Sequence, residues 1–87
     1  MDSGTLEARQ SLHGELLELN SSGETKLIWS KDNADEVENA RQTFVRLRTK
    51  GFAAYSVKKV SGNKGEIITE FNPDAERIIM APPMRGG

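Results

Sequence analysis

The sequence predicts an α+β fold: a single small domain in which a mixed β-sheet of about four to five strands packs on one helix, in the order ββαβββ. Three observations predict it. Residues 33–51 carry a full set of helix signals, and runs of strand-forming residues lie on both sides of them. A length of 87 residues with 36% hydrophobic content supports one core and not two. A single helix must then cover one face of the sheet, because only a two-layer arrangement buries both the apolar face of the sheet and the apolar stripe of the helix.

Taken in order, residues 1–14 read as a mobile leader: Met1–Leu12 lack a clear period and contain Gly4, so a frayed or loosely helical segment is expected there. The domain proper is expected over 15–81. Glu15–Asn20 and Thr25–Ser30 are apolar-rich runs separated by the turn-forming residues Ser21-Ser22-Gly23-Glu24, which predicts a β-hairpin. A competing reading continues a helix through Leu12, Leu16 and Leu19, whose spacing also fits one helical face and which Gly14 weakens without excluding.

The helix is expected from Asn33 to Lys50. Asn33 is a capping residue and Glu36, three positions on, can close a capping box. Val37, Ala40, Phe44 and Leu47 then recur at steps of three and four, which puts them on one buried face. Arg48 and Lys50 suit the negative end of the helix dipole, and Gly51 suits a left-handed C-cap.

Phe52–Lys58 and Glu66–Phe71 read as strands joined by the loop Ser61-Gly62-Asn63-Lys64-Gly65. Asn72-Pro73-Asp74 is a turn signal. Arg77–Ala81 is the last strand. Pro82-Pro83 ends any ladder, since neither proline has an N–H to donate.

Composition narrows the function classes. The chain has no cysteine and one histidine, so Cys/His nucleophile pairs and metal sites built on those residues are excluded, and no metal site is expected. His13 reads as a surface residue. Glu66, Glu70, Asp74 and Glu76 alternate with apolar residues and are expected to face water. Gly62-Asn63-Lys64-Gly65 lacks the strand-to-helix context of a phosphate loop and reads as a hairpin turn. No apolar run is long enough to span a membrane, and the absence of cysteine and of a signal-peptide pattern in so short a chain reads as cytoplasmic.

Charge is uneven although the net is -1. Residues 1–40 hold three basic and nine acidic side chains, whereas residues 41–64 hold Arg41, Arg46, Arg48, Lys50, Lys58, Lys59 and Lys64 and no acid. Such a segment can present a basic face to nucleic acid or to an acidic protein. Trp29, Phe44, Phe52, Tyr55 and Phe71 are candidates for a stacking platform beside it, but a small domain needs its aromatics in the core, and that is the reading adopted.

The C-terminal end carries the other candidate chemistry. Residues 82–87 read as an extended tail, with Gly86 and Gly87 expected to leave a carboxylate without neighbouring side chains on a segment slim enough to enter a narrow channel. Pro82-Pro83-Met84-Arg85-Gly86-Gly87, following a strand and the Phe71-Asn72-Pro73 turn, resembles the Pro-Pro-apolar-x-Gly-Gly end of the small subunit of molybdopterin synthase and its sulfur-carrier relatives. Arg85-Gly86-Gly87 also resembles the end of ubiquitin.

Those ubiquitin-like proteins share the β-grasp fold, whose ββαβββ order is close to the one read above. The resemblance implies a non-enzymatic modifier or sulfur carrier with no bound cofactor. A partner adenylating enzyme of the ubiquitin-activating type would use ATP on the Gly87 carboxylate, which would become a thiocarboxylate or an amide on an acceptor protein. Gly86 would give freedom within the enzyme channel, and Pro82, Pro83, Met84 and Arg85 would be recognised with it. Arg85 is bulky and charged where sulfur carriers have a small residue, which counts against sulfur transfer more than against conjugation.

A monomer is expected in either case. The alternative from a different class is a small binding module, of the kind a virus or mobile element carries, acting through the basic segment 41–64.

Overall fold

A computed structural model of the chain describes residues 12–58 and 65–83. The leader expected over 1–14 lies almost wholly outside these residues, as do Ser61–Lys64 of the predicted loop and Met84–Gly87 of the tail.

The described chain forms β1 (His13–Asn20), β2 (Gly23–Ser30), α1 (Ala34–Thr49), β3 (Ala53–Val57), β4 (Glu66–Ile68) and β5 (Arg77–Ala81). The order is ββαβββ, and the five strands make one mixed sheet in the spatial order β2-β1-β5-β3-β4. The fold is therefore α+β, with the ββαβββ order that the periodicity predicts. β1 and β5 are parallel at its centre, and every other neighbouring pair is antiparallel.

The hairpin prevails over the competing helix. β1 and β2 pair from His13↔Ser30 to Asn20↔Gly23, two residues longer at each strand than the sequence pattern suggests, and only Ser21-Ser22 turn the corner. Asn20 organises that corner: its Oδ1 accepts from the Ser22 N–H at 3.0 Å and the Ser22 hydroxyl at 2.9 Å. Gly23 then adopts a φ of 135°, a region that side chains rarely enter.

Strand entry at His13 puts Gly14 inside β1, where a side chain has no room. A Cβ there would collide with the indole of Trp29 and come within 2.6 Å of the Ala75 carbonyl oxygen.

The helix has the expected ends with one difference. Asn33 caps it, its side chain accepting from the N–H groups of Asp35 and Glu36 at 3.0 and 3.1 Å. The predicted capping box does not close. Glu36 instead reaches back to the end of β2, where its Oε1 accepts from the Ser30 N–H at 2.7 Å, so the carboxylate ties the helix to the hairpin.

At the other end Phe52 N–H donates to the Leu47 carbonyl at 3.0 Å and Gly51 N–H to that of Arg48 at 2.9 Å, with Gly51 at φ 98°. This is a Schellman motif, and Gly51 is the residue that makes it inexpensive.

The core lies between α1 and the sheet. Trp29, Phe44, Leu16, Leu47, Ile78 and Met80 are its fully buried large side chains, joined by Ala40, Ala54 and Ala75. Val37, expected to be buried, sits partly exposed at its edge with Leu27, Phe52, Ile68 and Phe71. The segment from β4 to β5 closes one side: Phe71 stacks at a tilt on both Trp29 and Phe44, with ring centroids 5.1 and 5.8 Å away, and the Pro73 carbonyl accepts from the Trp29 indole N–H at 3.1 Å.

The aromatic residues are thus core residues except one. Tyr55 alternates with the buried Ala54, and its register places it on the opposite face of the sheet.

Candidate functional site

Two places combine the residues singled out in the sequence. The first is the exit of the chain from the fold. β5 lies between β1 and β3, hydrogen-bonded on both sides, and ends at Ala81. Pro82 and Pro83 follow, both exposed. Ala81 pairs with Ala53, which carries the next residues past the C-cap of α1, and a Cβ added to Gly51 would lie 3.6 Å from Pro83 Cγ. The exit is therefore set by the most internal part of the sheet and by the end of the only described helix. Met84, Arg85, Gly86 and Gly87 lie outside the described residues.

The second is the basic half of α1. Its acidic first turn, Asp35 and Glu36, and its basic last turn, with Arg46 and Arg48, both complement the helix dipole. The basic residues do not form one continuous face. Arg41 and Arg48, with Val45 between them, follow the i, i+4, i+7 stripe, whereas Arg46 and Lys50 lie on another stripe. Lys58 is exposed just past β3, and Lys59 and Lys64 are outside the described residues.

The Arg41–Val45–Arg48 stripe borders a groove of about 450 Å³ that Thr69 and Glu70 line from the other side. Its floor is Phe44 and Phe71. Val45, 48% exposed, is a large apolar side chain left open between two guanidinium groups.

Both arginines are held in place. Arg48 Nη1 donates to the Phe52 carbonyl at 2.9 Å, a neutral acceptor that leaves the positive charge uncompensated. Arg41 Nε donates to Glu38 Oε1 at 3.0 Å, and its Nη2 forms an ion pair with Glu38 Oε2. Hydrogen bonds from Arg41 and then Gln42 hold the Glu38 carboxyl below its ordinary range, and the same carboxylate raises Arg41. Arg48 is thus the freer charge and Arg41 the more neutralised one.

The groove was only half visible in the sequence. The spacing of Arg41, Val45 and Arg48 signals an exposed apolar residue between cations, but Thr69, Glu70 and Phe71 come from a distant segment. Among the described residues no three His, Cys, Asp or Glu side chains converge as a metal site would require, and no helix is long and apolar enough to cross a membrane. Comparison of the chain with protein-family models, curated proteins and solved structures returned no match.

Proposed function

We propose that the chain is a non-enzymatic ubiquitin-like modifier or sulfur carrier that acts in the cytoplasm through the carboxylate of Gly87. The observation that carries this reading is the combination of a β-grasp-like fold with a Pro82–Gly87 segment of the carrier type leaving directly from its central strand. A strand paired on both sides gives the segment a rigid base, and two exposed prolines without N–H donors keep it from extending the ladder.

The chemistry needs nothing from the body of the domain. The Gly87 carboxylate attacks the α-phosphorus of ATP held by a partner adenylating enzyme, forming an acyl adenylate and releasing pyrophosphate. A lysine amine of an acceptor protein, or a sulfur nucleophile, then takes the acyl group and AMP leaves. The reading takes Gly87 as the reacting end, whether encoded as such or exposed by cleavage behind it.

The test is mass spectrometry after incubation with ATP and host lysate. Conjugation leaves Gly86-Gly87 on acceptor lysines after trypsin cuts behind Arg85. Sulfur transfer adds the mass difference of one oxygen exchanged for sulfur at the C-terminus. Neither product from the intact chain, or either product from a chain lacking Gly86 and Gly87, overturns the proposal.

A further inference from the structure

A carrier acting only through its tail has no use for an open apolar groove between arginines on its helix, and that groove is the feature the proposed function leaves over. We propose that it is a docking site for an acidic peptide segment of a partner protein. An apolar side chain of the segment would rest on Val45 and the Phe44–Phe71 floor, while its carboxylates would meet Arg48 and Arg41.

Charge and shape both select this occupant. The described stretch 41–58 contains Arg41, Arg46, Arg48, Lys50 and Lys58 without one acid, so the field around the helix end attracts carboxylates. Arg48 is oriented by the Phe52 carbonyl and Arg41 by Glu38, so little side-chain freedom remains to be lost when a carboxylate binds. A guanidinium carries five donors in a planar fork, and the single bond from Arg48 leaves most of them for a carboxylate. A groove of about 450 Å³ takes one or two side chains of a peptide.

Nucleic acid is the poorer fit. Trp29 and Phe44 are buried, and Phe71 is turned onto both of them, so the groove offers no free ring on which a base could stack. Glu70 stands in the opposite wall, where it would repel a phosphate backbone running along the helix. A short acidic segment needs only the Arg41–Arg48 side and can leave Glu70 to solvent.

The experiment pans a random peptide library on the full chain and titrates the enriched peptides into it, following backbone amide shifts. The proposal expects peptides with an apolar residue flanked by Asp or Glu, shifts centred on Val45, Arg48 and Phe71, and binding on the order of tenfold weaker in Arg48→Gln. Val45→Asp, at an exposed position that takes no part in the Phe52 bond, should abolish binding without altering the melting temperature.

A single-stranded oligonucleotide should leave the groove residues unshifted. Enrichment of peptides without acids, no enrichment, binding indifferent to both substitutions, or an oligonucleotide that shifts the same residues each overturns the docking site. Deleting Gly86 and Gly87 should leave peptide binding intact, so failure here is distinguishable from failure of the carrier reading.

Discussion

The two faces of the sheet are made from the same alternating strands, yet neighbouring residues of the same type have opposite fates on them. Ile78 is 0% exposed against α1, whereas Ile79 beside it is only half-buried on the other side. In β4 the contrast repeats: Ile68 packs against the core while Ile67 is 73% exposed.

Leu17, Ile79, Tyr55 and Ile67 form one register row across four strands of that second face. Beside the row, Arg77 Nε donates to the Glu15 carboxylate at 2.5 Å across the parallel β1–β5 pair, and Glu15 is buried there. The lesson is that side-chain type does not set burial here. Position does: α1 and the 71–75 segment cover the first face, whereas on the second burial falls from Glu15 and Leu17 in β1, both buried, to Ile67 in the edge strand β4.

The strongest way to break this comparison is Phe44→Ala. Phe44 touches Phe71 and anchors α1 to the covered face, and its truncation should cost about 3–5 kcal/mol, lowering the melting temperature by roughly 15 °C or more. Unchanged melting would mean that this face is not the core.

Gly14→Ala comes next, at about 3 kcal/mol. The Trp29 ring that the methyl group meets is pinned by the Pro73 carbonyl, and the other obstacle is backbone at Ala75, so neither can move aside. Denaturant midpoints measure it, and a stability within error of the parent would refute the close approach.

On the other face the effects should be smaller and of different origin. Arg77→Met removes a charged hydrogen-bond partner of a buried carboxylate and should cost about 2 kcal/mol by equilibrium unfolding. The smallest effect is expected for Ile67→Ser, within about 0.5 kcal/mol of the parent, because a side chain so exposed loses little on becoming polar. A larger loss there would show that this end of the second face is covered as well.

Local chemistry made much of this legible. The helix with its Asn33 cap and Gly51 terminator and the Asn72 turn rest on interactions within a few residues, and they occur where the pattern puts them. The longer hairpin and its shorter loop escaped because turn residues mark a corner without saying how far the ladder closes toward it. Of the candidate site, the chain's exit could be anticipated from Pro82-Pro83. The groove could not, since one of its walls is 20 residues or more from the helix in sequence.

Periodicity, capping and turn residues determined which segments become strands or helix and in which order, because each depends on neighbours along the chain. They did not determine that β5 inserts between β1 and β3, that Glu36 bonds Ser30 instead of closing its box, or that Glu15 is buried with Arg77. Those were settled by tertiary packing. Strand pairing, close approach and burial are properties of residues distant in sequence, and their energies exist only once the chain has brought them together.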